Sequence, residues 1–311
     1  MEATVVTTAE IMSQNQPLSP PLSAEVPAAD GLDDLPVTII ERRPGWHLLD
    51  VGELFRYREL LYFLTWRDVK VRYKQTVLGA SWAVLQPLAT MIVFSLFFTR
   101  MGEVKTPVPY PLFVFAGLIP WFFFSNAITA ASQSVVGNQN LVTKIFFPRL
   151  IIPMGAVGAG LVDFVVAFVM LVGLMLYFMA TGEWGFVPGL GIMLLPLLTV
   201  GLVIAALGIG ILLSALTVAY RDFRYVVPFM VQLWMFATPT IYLHADDIGQ
   251  RWRPLLPLNP AYGLIANFRV AVLGGEFDWY ALTVSSVVTL VLFVTGCLYF
   301  RRVERGFADI I

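Results

Sequence analysis

Residues 66–98 read WRDVKVRYKQTVLGASWAVLQPLATMIVFSLFF, in which a cationic segment passes without a linker into an uncharged apolar run. Arg67, Lys70, Arg72 and Lys74 all precede the run. Cations near a span tend to stay on the cytoplasmic side, so this end faces the cytoplasm and the N-terminus lies inside. Val77 to Phe98 is 22 residues, about 33 Å of helix against a hydrocarbon core of roughly 30 Å. The stretch therefore reads as a first membrane span.

Composition supports this independently. The chain of 311 residues is 58% hydrophobic and only 13% charged, with a mean hydropathy of +0.76. That is too much apolar surface for an ordinary soluble domain, and it points to an all-α integral membrane protein. A net charge of −1 argues against a nucleic-acid binder. The single Cys297 lies in an apolar run and excludes a disulfide framework or a cysteine metal cluster, and two histidines, His47 and His244, make histidine-based metal chemistry unpromising.

Working outward, residues 1–40 hold five prolines and no Lys or Arg, and read as a disordered cytosolic tail without a signal peptide. Residues 41–76 carry apolar and aromatic positions such as Leu49, Leu54, Tyr57, Leu61, Leu64 and Val69 at three- to four-residue spacing, with cations between them. That pattern suits an amphipathic helix in the membrane interface. From 77 to 311 the apolar runs predict six spans, at about 77–98, 111–131, 150–179, 187–218, 226–243 and 281–300. The fourth is interrupted by Pro196. Gly155, Ala156, Gly158, Ala159 and Gly160 of the third would let a neighbouring helix approach closely.

Ser132 to Arg149 reads as a short surface helix stopped by Pro148, and the turn bearing Arg221 and Asp222 is charged. Between spans five and six, residues 245–275 are too rich in Pro and Gly for a continuous span and too apolar for a free loop. They predict re-entrant helices on the outer face, with positions near Asn259 and Asn267 reachable from outside. This topology puts both termini in the cytoplasm, and it places 15 of the 20 cations inside and five outside.

Two spans carry similar stripes. Trp82, Gln86, Thr90 and Phe94 repeat every four residues in the first, and Phe229, Gln232, Phe236 and Thr240 every three or four in the fifth, so each set shares a helical face. Flat aromatics with a few amides and hydroxyls, and no charge, suit a path along which a long polymer with polar and apolar faces slides. The competing reading has the aromatics facing lipid and the polar groups joining helices. Asp163, inside the third span, must face protein or water, and a hydrogen bond to another helix accounts for it better than a proton pathway. Asp246 and Asp247 read as a solvated loop rather than a catalytic pair.

WRDVKVRYKQTVLGASWAVLQP, NLVTKIFFPRLIIP, LLSALTVAYRDFRYVVPFMVQLWMFATPTIY and PLNPAYGLI together resemble the membrane permeases of ATP-binding-cassette exporters for bacterial surface polysaccharides: O-antigen, capsule and teichoic acid. The likeness runs from about residue 50 to the end, and the tail before it is longer than the family leads one to expect. It implies a homodimer in the bacterial inner membrane, associated with two cytosolic ATPase subunits and moving a lipid-linked polysaccharide outward. It favours Asn138, Asn140 and Lys144 as the coupling helix, with Pro148 and Arg149 at its exit and Arg221 and Asp222 on the second inside loop. The sequence holds no G-x-x-x-x-G-K-[ST] phosphate loop, so ATP and Mg²⁺ are expected on the partner and no cofactor on this chain. A membrane glycosyltransferase would need convergent carboxylates, and a secondary transporter more intramembrane ionisable groups or inverted repeats.

Overall fold

The computed structural model describes residues 51–74, 81–101, 108–185, 189–239 and 254–307. The expected tail, Thr240, Asp246 and Asp247 lie outside these residues. The described chain is helical: α1 (Val51–Arg56), α2 (Arg58–Lys74), α3 (Ser81–Met101), α4 (Tyr110–Gly137), α5 (Gln139–Lys144), α6 (Ile151–Ala180), α7 (Leu195–Ala219), α8 (Phe223–Phe236), α9 (Pro260–Leu273) and α10 (Trp279–Val303).

Four helices are long and apolar enough to cross a bilayer: α4, α6, α7 with the turn before it, and α10. Of these, α4 is the centre, with 83% of its most apolar window buried against 28–33% for the others. Helices α3, α6, α7, α8 and α9 pack around it. The outward faces of α6 and α10 leave Val165, Val169, Leu176, Leu290 and Val291 exposed, as helices bounded by hydrocarbon require.

One cluster ties together the C-terminal ends of α4, α7 and α10 and the start of α6, through Val135, Ile151, Ala215, Val218, Cys297 and Phe300, with Leu64 of α2 joining it. The directions α4 down, α6 up, α7 down and α10 down follow from that shared end. Phe307, beyond α10, closes the cluster edge-on to Phe300 at 5.2 Å.

Three departures from the sequence reading have local causes. Pro196 does not interrupt the fourth span; it lies in the first turn of α7, after a 3₁₀ turn at Leu190–Leu194, where a missing N–H costs nothing. Helix α4 runs past residue 131 to Gly137, because the hydroxyls of Ser132 and Ser134 are absorbed by the carbonyls of Thr129 and Ala131 at 2.8 and 2.7 Å. Helix α8 ends at Phe236 rather than continuing to 243: Pro239 disfavours helical backbone at Thr238. Its 14 residues make about 21 Å, short of a full crossing.

The early glycines of α6 admit α2. A Cβ on Gly155 would lie 3.3 Å from Leu64 Cβ, and one on Gly158 3.1 Å from Thr65 Oγ1. Eight residues further along both helices, Arg72 and Tyr73 hydrogen-bond the Asp163 carboxylate. A helix lying flat across the base of the spans would meet α6 at one point. Instead α2 runs alongside α6 for about 12 Å, and Asp163 is paired with another helix.

Helix α9 lies at the opposite end from the shared cluster. Its 14 residues are mostly buried, including Tyr262, Asn267 and Phe268. Phe268 meets Phe164 at 5.9 Å, Gly201 lies under Leu264, and Arg269 sits 3.8 Å over the Phe113 ring. Gly274 and Gly275 take φ of +89° and +124° to turn the chain into α10, a conformation other residues resist. Asn267 itself is 0% exposed, with Nδ2 donating to the carbonyls of Gly263 and Asp278. The apolar side chains that made a free loop implausible here bury the polar ones beside them.

Candidate transport path and coupling site

The α3 stripe begins at Trp82, at the start of the helix. Gln86 is exposed; Thr90, half-buried, spends its hydroxyl hydrogen on the Gln86 carbonyl at 2.9 Å; Phe94 stacks on Phe98 at 6.0 Å. On α8, Phe229 and Phe236 are 57% and 60% exposed, and Gln232 lies on the same open face. The chain does not bring the stripes together extensively. Helix α3 packs on α4 and α6, and α8 on α4 and α7, so α4 stands between them; Gln86, Phe229, Gln232 and Phe236 are exposed, while Phe94 packs against the core. A path built from them needs a second surface to close it.

The expected coupling residues sit at one end of the molecule. Asn138 caps the end of α4, its Nδ2 donating to the Ser134 carbonyl at 2.7 Å. Its Oδ1 accepts from the Arg67 guanidinium of α2 at 2.8 Å, while Arg67 also pairs with Asp68 at 2.7 Å. Helix α5 thus hangs from a corner that α2 grips. Asn140 and Lys144 are exposed, whereas Val142 anchors α5 in the core. Half-buried Pro148 and Arg149 lend their carbonyls to the first turn of α6, and the Arg149 guanidinium donates to the Glu304 carbonyl, tying this loop to the end of α10. Arg221 and Asp222 are exposed in the turn between α7 and α8, and N–H groups in the first turn of α8 bond their carbonyls.

Sequence reasoning missed Arg67 as the grip on Asn138, because 71 residues separate them. It also missed Phe146, which is 96% exposed between exposed Ile145 and buried Phe147. The only signal was the doublet Phe146-Phe147 in a polar loop. Behind this face, the Tyr73 hydroxyl donates to the Asp163 carboxylate. Among the described residues, no three of His, Cys, Asp and Glu come together in a metal-binding group.

Comparison with known proteins decides the class, since residues 59–273 match the family described as ABC-2 type transporter. The chain belongs to that family. It is a membrane transporter, not an enzyme. It is 30% identical over 261 residues to the O-antigen export system permease protein RfbA of Myxococcus xanthus, covering 83% of this chain and 98% of that one. An RfbA of Klebsiella pneumoniae is 28% identical over 262 residues, 84% and 97% of the two chains. The polysialic acid transport protein KpsM of Escherichia coli is 26% identical over 243 residues, 77% and 92%. In this ABC-2 protein the matched region spans α2 to α9, so the grip of Arg67 on Asn138 falls inside it.

Replacing Arg67 with Ala leaves Asn138 Oδ1 with no charged donor and frees the α4–α5 corner. The expected result is a stable protein, at a cost of about 1–3 kcal/mol, with export per ATP hydrolysed reduced several-fold. Parallel ATPase and export assays check it.

Proposed function

We propose that this chain is the permease subunit of an ATP-driven exporter that carries a lipid-linked polysaccharide, of the O-antigen class, from the cytoplasmic to the outer side of the bacterial inner membrane. The observation that carries this reading is similarity to O-antigen export permeases over 97–98% of their length. Capsular polysaccharide or teichoic acid is the second cargo reading, and the KpsM likeness supports capsule. ATP and Mg²⁺ belong to two partner ATPase subunits.

In this reading two copies of the permease pair. The end bearing α5, Phe146 and Arg221 is cytosolic, with both chain termini, because the cations crowd there. Helices α3 and α8 complete six spans with the four long ones. Helix α9 enters the outer leaflet and returns. The stripes Trp82, Gln86, Thr90, Phe94 and Phe229, Gln232, Phe236, Thr240 line the path, and α5 receives the ATPase stroke.

Deleting the chain from its host tests the cargo. Lipid-linked polysaccharide should accumulate inside and vanish from the cell surface; an unchanged surface glycan overturns the reading. For coupling, Asn140→Asp with Lys144→Glu should keep the dimer and ATP hydrolysis while lowering export at least tenfold, because exposed positions alter docking without altering the fold. Normal export by that folded variant refutes the role of α5.

A further inference from the structure

The end of α8 is tied to α9 through Asn259. Thr238, buried just beyond α8, gives its hydroxyl hydrogen to the Trp234 carbonyl at 2.9 Å, and its oxygen accepts from Asn259 Nδ2 at 2.8 Å. The same Nδ2 lies 3.4 Å from the Ala237 carbonyl. Asn259 Oδ1 is used separately: it caps α9 by accepting from the Ala261 N–H at 3.1 Å. One side chain thus starts α9 and holds the tail of α8.

The two joints it sits between differ in strength. Helix α9 is locked to α10: a Cβ on Gly263 would lie 2.2 Å from the Ala281 carbonyl oxygen, so backbone rests on backbone. Ser285 Oγ of α10, fully buried, accepts from the Gly263 N–H at 3.0 Å and faces the carbonyls of Pro257 and Asn259 at 2.9 and 3.1 Å. Asn267 Nδ2 adds a bond to the Asp278 carbonyl at 3.1 Å. Helix α8, by contrast, packs chiefly on α4 and α7, and the side-chain hydrogen bond that reaches its end from this block is a neutral one, the weaker kind. If the end of α8 and the α9–α10 block move apart, this joint is where they part.

We propose that Asn259 is a latch, a positioning residue whose bond to Thr238 holds the outer end of α8 on the α9–α10 block and keeps the export path closed at rest. The proposal rests on the reading of α8 as a wall of that path. The helical backbone of α8 ends at Phe236, just short of this joint, whereas α9 is held to α10 through Gly263 and Ser285.

Thr238→Val keeps the shape of the side chain and removes the acceptor together with the hydroxyl's own bond to the Trp234 carbonyl; Asn259→Ser leaves that bond in place and keeps an N-cap for α9 but is too short to reach Thr238. The full permease with its ATPase is reconstituted in liposomes holding a small fluorescent dye, without ATP. Both variants should leak about fivefold faster than wild type, the population shift that one neutral hydrogen bond supports. Thr238→Ser, which keeps the oxygen, should return to the wild-type rate, and all three should co-purify with the ATPase. Leak at the wild-type rate in both T238V and N259S, or equal leak in T238S and T238V, overturns the latch. Export of polysaccharide by the wild type is measured separately: leak that responds as expected while no glycan is carried leaves the latch standing and overturns the transport reading.

Discussion

Gly296→Val should leave almost no assembled permease in the membrane. A Cβ on Gly296 would lie 2.4 Å from the Gly208 carbonyl oxygen, and one on Gly208 2.7 Å from the backbone N and Cα of Phe293. Helices α7 and α10 therefore cross with backbone against backbone, and neither obstacle is a side chain that can rotate away. Apolar burial drives little helix association in lipid, so close packing at small residues carries much of it. Forcing the helices apart disturbs the cluster that includes Ala215, Cys297 and Phe300. The cost is ~3 kcal/mol or more, a large part of a total stability of about 5–15 kcal/mol. Gly173→Ala is the control, because a Cβ there meets nothing within 4 Å, and alanine favours helix by about 1 kcal/mol. Size-exclusion profiles and thermal melts in detergent should separate the two variants; a Gly296→Val protein that melts with the wild type refutes this account of the crossing.

Much of the fold is legible in the sequence because long apolar runs without charge have few other places to go. Spans two, three, four and six correspond to α4, α6, α7 and α10 within a few residues at most ends. The glycines at 155 and 158 announced a close neighbour, though not that it would be α2. Asp163 announced a partner by its cost in hydrocarbon, but periodicity cannot say that Arg72 and Tyr73 supply it. Helix α9 was half legible: Pro and Gly mark where a full span cannot form, while the burial of Asn267 and Arg269 depends on which helices surround them. The short helix α5 was visible between Asn138 and Pro148. The grip of Arg67 on Asn138 was invisible, since no local rule links residues on different helices. The two stripes remain a reading of chemistry rather than of contacts, because α4 lies between their helices.

A charge on either stripe is expected to stop export while sparing assembly. Gln86→Arg on α3 and Phe236→Arg on α8 place a guanidinium where the proposed path needs uncharged amide and aromatic surface. Such a path lets sugar hydroxyls exchange hydrogen bonds and C–H faces slide on rings. A guanidinium presents five fixed donors, long enough to obstruct the lumen and to hold the glycan or its anionic groups in place. Because α4 separates the stripes within one chain, the proposed path needs the proposed second copy to close it. Position then decides the penalty. At a lipid-facing site a cation costs roughly 3 kcal/mol at mid-bilayer and lowers the yield of inserted protein; in a hydrated path it is solvated, and yield is unaffected. Val169→Arg, on the exposed face of α6, supplies the lipid-facing reference. Gln86→Arg and Phe236→Arg should match wild type in yield, dimer and ATPase co-purification yet lose at least tenfold in surface polysaccharide, whereas Val169→Arg should lose yield. Normal export with either charge in place, or yields falling as they do at Val169, means that the stripes face lipid and the path lies elsewhere.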